Sequence, residues 1–172
     1  LLVTTLLKYA QVDSAPAYFK ENPLEDIVNT VLSDFQWASD KLGAKISLDG
    51  EWPVIECDET QITELFLNLI SNALKYHREG VPPEIVITAN SSSESNDCLV
   101  KVRDNGIGFK PEYKDRIFEP FRRLVHQSEY EGSGVGLAIV SKIIRLHNGT
   151  IDVETTPGEG TEFAVNLPLR QQ

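Results

Sequence analysis

Within the stretch LFLNLISNALKY, residues 65–76, Asn68 and Asn72 stand four apart, with Lys75 and Tyr76 on the next turn. On a helix, that spacing lines two carboxamides, an ammonium and a phenol along one stripe. A lone Asn on a helix reads most simply as part of a polar outer face. Two in a helix interior are a small cost in propensity and weaken that plain reading. A carboxamide oxygen is a hard, neutral ligand suited to Mg²⁺, and an ammonium beside it suits a phosphate.

Three glycine-bearing pieces could complete such a site. In VRDNGIGF, Asp104 precedes Gly106 and Gly108. Asn-Gly is a strong hairpin signal, but the following FKPEYKD neither alternates nor avoids Pro, so no return strand is expected. A carboxylate at a strand end, flanked by glycines, can instead accept a hydrogen bond from a flat heteroaromatic amine. In GSGVGLAIV, Gly132, Gly134 and Gly136 lead into a helix. The spacing and the lack of a preceding strand exclude the dinucleotide-binding pattern. Glycine-rich backbone opening a helix N-terminus is still suited to phosphates, though weak as a lone motif. The last piece, PGEGTEF, taken alone, is most simply a turn between strands.

Other chemistries find little support. No serine or cysteine has a base in a recognisable nucleophile pattern. His77, His126 and His147 are in no metal spacing and are expected at the surface or an interface. A formal charge of −10 over 172 residues argues against a nucleic-acid surface. Cys57 and Cys98 are in no metal-like spacing and are read as unpaired, which fits a reducing, cytoplasmic compartment. No signal peptide or membrane-length apolar run is present. The chain has no Met and starts at Leu1, which suggests a fragment of something longer.

The elements that must position these residues follow from periodicity. LLVTTLLKYA places Leu2, Val3, Leu6, Leu7 and Ala10 at helical spacing, as the stub of a bundle helix. VDSAPAYFKEN is expected to be a linker. A helix should start with Asn22 as N-cap, Pro23 first and Glu25 as capping-box partner, run to about Lys41 and end at Gly43. AKISLDG reads as a strand, and WPVIECDE as a short strand leading to Asp58 as N-cap of a helix over about 59–76. EIVITAN and CLVKVRDN are strands joined by the polar SSSESND. VGLAIVSKIIRLHN is an amphipathic helix, with Gly149 placed for its C-terminal cap. TIDVETT and TEFAVNLPL close the chain as strands. The fold class expected is α+β: a two-layer sandwich with a mixed sheet of about five strands, covered on one face by about three helices, and an N-terminal helix stub.

Taken in order, these motifs resemble the catalytic ATP-binding domain of sensor histidine kinases, in the wider group with gyrase B, MutL and the ninety-kilodalton heat-shock chaperones. NLISNALKY resembles the N box, DNGIG the first glycine box, IFEPF the F box, GSGVGLAIV the second glycine box and GEGTEF the third. The resemblance covers about Asn22 to Leu169; Val135, where Leu is commoner, is a trivial departure. It implies the Bergerat nucleotide-binding fold, with ATP and Mg²⁺ as cofactors. Asn72 would ligate Mg²⁺ with Asn68 beside it, Lys75 would contact phosphate, and Tyr76 would lie against the adenine or ribose. Asp104 would accept the adenine amino group, with Gly106 and Gly108 shaping the base pocket. Residues 109–133 would form a lid packed down by Phe118 and Phe121, with Arg123 reaching the γ-phosphate. Gly132, Gly134, Gly136, Leu137 and Thr161 would complete the nucleotide site.

Hydrolases of the wider group resemble one another in carrying Glu where this chain has Asn68. A neutral amide cannot act as a general base, and Glu64, one turn earlier, is expected to lie too far along the helix. Phosphoryl transfer to a protein side chain is therefore preferred over hydrolysis. The alternatives are an ATP hydrolase of the same fold and a nucleotide-binding module without transfer. The family's phosphorylated His lies in a His-Glu or His-Asp motif, which none of the three histidines here matches. The resemblance thus divides the chain into residues 1–12, the end of a second dimerisation helix, a linker over 13–21, and a catalytic domain over 22–172. The implied partners are the protein's own histidine-bearing dimerisation helices within a homodimer and a response-regulator receiver domain, with no nucleic acid and no direct membrane contact. The exposed stub is expected to self-associate. LKYHREGVPPEI and EYEGSGVG look most like phytochrome-type kinases.

Overall fold

The computed structural model describes residues 2–14, 16–92, 94–123 and 132–171. In chain order the elements are α1 (Leu2–Ser14), β1 (Lys20–Pro23), α2 (Leu24–Asp34), α3 (Gln36–Leu42), β2 (Lys45–Gly50) and β3 (Val54–Cys57). They continue with α4 (Glu59–Lys75), β4 (Glu84–Ser92), β5 (Asp97–Asp104), α5 (Gly136–Leu146), β6 (Thr150–Thr156) and β7 (Gly160–Pro168). Five strands form one sheet in the order β2-β4-β5-β7-β6, and β1 and β3 form a separate ribbon. The β2–β4 pair is parallel and the other pairs are antiparallel, so the sheet is mixed as expected.

Alternation sends one face of each central strand inward: Ile85, Ile87 and Ala89 from β4, Val100 and Val102 from β5, Phe163 and Val165 from β7. Helices α2, α4 and α5 cover that face with Val28 and Val31, Leu65, Phe66 and Leu69, and Ile139 and Ile143. Burying a side chain of this size is worth about 1.5–3 kcal/mol, so the amphipathic stripes, more than propensity, hold α4 and α5 against the sheet. Asp58 caps α4 as its side chain accepts from Gln61 N–H at 3.0 Å, and Gly43 ends α3 in the left-handed region at φ 64°.

Several expectations are corrected. Asn22 is not a helix cap. It lies in β1, where its Nδ2 donates to the carbonyls of Lys20 (3.0 Å) and Cys57 (3.1 Å) and fastens the ribbon. Helix α2 starts after Pro23 with no side-chain cap. The single helix expected up to Lys41 is broken at Phe35, whose ψ of 2° leaves helical geometry. The expected linker over 13–21 is shorter, because α1 runs to Ser14 and β1 begins at Lys20. Gly149 is not the left-handed cap of α5. Asn148 is, at φ 55°, with its N–H on Arg145 O and Gly149 N–H on Ile144 O, the Schellman pattern. Gly149 is needed instead because a Cβ there would collide with the Asn166 carbonyl of β7.

His147 is a core residue rather than a surface one, at 1% exposure. Its Nδ1–H donates to Ile143 O at 2.8 Å and its Nε2 accepts the Asp58 N–H at 3.1 Å, which requires a neutral ring. Burial lowers its pKa accordingly. The ring therefore ties the end of α5 to the start of α4, the two helices whose other ends meet at the site described below. His126 lies outside the described residues.

Candidate nucleotide site

The C-terminal half of α4, the end of β5 and the start of α5 converge on one cleft of about 340 Å³. Helix α4 contributes Asn68, Asn72 and Lys75, the predicted stripe, and Tyr76 follows at its end. Lys75 Nζ lies 4.6 Å from the centre of the Tyr76 ring. Ser71, which no reading of the stripe had singled out, also lines the cleft, one turn from Asn68.

Asp104 ends β5 in the middle of the sheet, paired with Ile85 on one side and Thr161 on the other. Its Oδ1 accepts the Gly106 N–H at 2.8 Å. Burial pushes its pKa up to about 6, partly opposed by the backbone hydrogen bonds from Gly106 and Thr161. Such a carboxylate, poorly solvated, gains from a ligand that brings a further N–H.

The glycines have distinct steric tasks. A Cβ at Gly106 would strike the Tyr76 carbonyl, and one at Gly108 the Thr156 carbonyl. Gly106 thus does not line the cleft; it lets the loop after β5 close onto the end of α4, where Ile107 N–H donates to Tyr76 O at 2.9 Å. At the other wall, a Cβ on Gly132 would fall 2.6 Å from Lys75 Nζ, and one on Gly136 2.6 Å from Asn68 Oδ1. Helix α5 begins at Gly136 with no side chain capping it. Its first N–H groups are therefore available to an anion.

The predicted lid divides. Residues 124–131 lie outside the described residues. The stretch before them is anchored: Phe109 N–H donates to Thr155 Oγ1 at 3.0 Å, Lys114 pairs with Glu154 at 3.0 Å, and Ile117 is buried. Phe118 packs edge-on against Phe163 with ring centres 6.5 Å apart, and Phe163 lines the cleft. Phe121 does not pack down; it is 52% exposed and does not line the cleft. Arg123, Gly134, Leu137 and Thr161 all line it.

Thr155 was missed, being indistinguishable in sequence from any strand threonine. Its buried hydroxyl also lies 3.3 Å from Gly160 O and 3.2 Å from Thr161 Oγ1, joining the loop after β5 to the turn before β7. Thr155→Val leaves the Phe109 N–H without this partner, at an expected cost of about 1–3 kcal/mol in chemical denaturation.

The cleft suits a nucleotide: apolar walls from Ile107, Phe109 and Phe163 with one carboxylate for a base, and Lys75, Arg122, Arg123 and a helix N-terminus for phosphates. No cluster of three His, Cys, Asp or Glu occurs among the described residues. The neutral oxygens of Asn68 and Asn72 nonetheless fit Mg²⁺, which keeps several waters and takes phosphate oxygens.

Fold and site together define a nucleotide-binding domain of the α+β ATPase kind. Residues 57–171 match the family described as histidine kinase-, DNA gyrase B- and HSP90-like ATPases, and the chain belongs to that family. It is 38% identical over 168 residues to cyanobacterial phytochrome A from Nostoc sp., covering 98% of this chain and 21% of that protein. It is 35% identical to phytochrome-like protein Cph1 from Synechocystis sp., covering 98% of this chain and 22% of that protein. The chain thus spans about a fifth of the length of these relatives. The crystal structure of full-length ShkA in complex with AMPPNP superposes with a TM-score of 0.84 at 26% identity, over 99% of this chain and 36% of that one.

Proposed function

We infer that this chain is the ATP-binding catalytic module of a two-component sensor histidine kinase of phytochrome type. It transfers the γ-phosphoryl group of Mg-ATP to a histidine on a dimerisation helix, for relay to a response-regulator aspartate. The observation that carries transfer over hydrolysis is the composition of the cleft. Among the described residues lining it, Asp104 is the only carboxylate, and it sits beside the glycines expected to cradle the base. Asn68 is neutral, and Glu64 lies behind it, its Oε1 3.4 Å from Asn68 Nδ2, and does not line the cleft. Among the described residues, water therefore finds no base placed to activate it, and rate must come from position and charge.

In this reading Asp104 accepts the adenine amino group while Tyr76 flanks the adenine or ribose. Asn72 would hold Mg²⁺, with Asn68 beside it, and the ion would offset charge on the phosphates. Lys75 and the N-terminus of α5 bind those phosphates, and Arg123 reaches the γ-phosphate. His147 is too buried to accept a phosphoryl group, and the acceptor is supplied by the dimerisation helices of a homodimer, of which α1 is the end. The receiver domain of a response regulator is the onward partner. No helix among the described residues is long and apolar enough to cross a membrane, and a module fed by cellular ATP belongs on the cytoplasmic side.

Calorimetry on the isolated chain tests this. Mg-ATP binds, GTP binds far more weakly because its ring carbonyl faces Asp104, and overnight incubation releases almost no phosphate. Steady phosphate release would instead move the chain to the hydrolases.

A further inference from the structure

The Asn68 carboxamide has two unlike ends, and only its oxygen can face a metal. Its Nδ2 donates to Glu64 O at 2.8 Å and lies 3.4 Å from Glu64 Oε1. Both neighbours are acceptors, so the network fixes which end of the amide is nitrogen. Oδ1 is thereby turned toward Gly136 and the start of α5. The carboxylate that helps hold Nδ2 is itself shared, because Lys8 Nζ of α1 lies 3.5 Å from the same Glu64 Oε1.

Helix α1 is not loosely placed there. Lys142 of α5, only 7% exposed, donates to Tyr9 O at 2.8 Å and stacks its ammonium 4.0 Å from the centre of the Tyr9 ring. A continuous set of contacts therefore runs from α1 through Lys8 and Glu64 to Asn68, beginning one turn along α4 from the cleft.

We propose that Glu64 is a positioning residue that keeps the Asn68 oxygen turned toward the metal of Mg-ATP, and that α1, through Lys8, tunes this hold. The proposal rests on the reading of the cleft as a Mg-nucleotide site. Lys8 draws the carboxylate away from Nδ2 and offsets its charge, and both effects weaken the site's grip on Mg²⁺. Moving α1 off Glu64 removes both, so a displacement of the upstream helix reaches the nucleotide without any contact to it.

The test titrates ATP into the chain across a range of free Mg²⁺ and again in EDTA. Glu64→Leu is expected to raise the Mg²⁺ needed for half-maximal ATP binding by about three- to tenfold, as loss of a ligand-orienting partner does. Its affinity in EDTA and its melting temperature stay unchanged. Glu64→Gln, whose amide oxygen still accepts from Nδ2, stays within about twofold of the parent. Lys8→Gln lowers the Mg²⁺ requirement by about two- to threefold, in keeping with an exposed ion pair, and has no effect once Glu64 is Leu. Equal losses with and without Mg²⁺ would reduce Glu64 to a structural support of α4, and unchanged Mg²⁺ dependence in Glu64→Leu would likewise overturn the proposal. A parent chain that binds no ATP in either condition overturns the nucleotide reading itself.

Discussion

Asp104→Asn should remove most ATP affinity while leaving the fold intact. The carboxylate is the only anionic group lining the described cleft, and a hydrogen bond to a charged acceptor is worth about 2–3 kcal/mol, roughly thirty- to a hundred-and-fiftyfold in affinity. The amide can also turn its NH₂ toward a guanine carbonyl, so the preference for ATP over GTP should narrow. Calorimetry with both nucleotides measures this directly, and circular dichroism confirms folding.

The raised pKa of about 6 at Asp104 adds a pH signature. The ionised form is the better acceptor, so ATP affinity should fall as pH drops through 6 and hold level above about 7. That part of the pH profile should vanish in Asp104→Asn, which separates it from titration of the nucleotide's own phosphates. Stability without nucleotide runs the other way. A carboxyl whose folded pKa is raised contributes stability that is full below its unfolded value of about 4 and is lost as pH rises through about 6. At pH 8 the Asn variant should therefore be no less stable than the parent.

Gly136→Val makes the complementary break at the phosphate end. Its Cβ would stand 2.6 Å from Asn68 Oδ1, so the carboxamide must swing off the line set by Glu64. Only a side-chain end has to move, and Gly136 has no left-handed φ; the fold should survive. The branched side chain also crowds the uncapped N-terminus of α5. Mg-ATP affinity is expected to fall about tenfold, and phosphoryl transfer about a hundredfold, since misplacement of roughly 1 Å carries that penalty. Melting temperature and Mg²⁺-dependent binding, measured on one preparation, separate loss of the site from loss of the fold.

The parts of the molecule legible in sequence are those whose local pattern and tertiary role agree. Helices α4 and α5 have apolar stripes of the right period, and Asp58 and Gly43 are placed as cap residues demand. The stripe of Asn68, Asn72 and Lys75 was visible for the same reason, since helical spacing alone puts those residues on one face. Strand β1 was not legible. KENP does not alternate, and it is a strand only because Asn22 and its pairing with β3 hold it. The break at Phe35 escaped because the apolar period runs across it. The left-handed cap of α5 falls on Asn148 rather than Gly149 because Asn tolerates that conformation, whereas only Gly fits against the Asn166 carbonyl. Thr155 carries no local signal at all; its importance comes from what other segments bring to it.

The most direct test of the account joins this chain to a dimerisation bundle carrying an acceptor histidine and incubates it with γ-labelled ATP and Mg²⁺. The account predicts acid-labile, base-stable label on the protein with little free phosphate. Free phosphate with no label on the protein would contradict it and would mean that the cleft activates water despite Asn68.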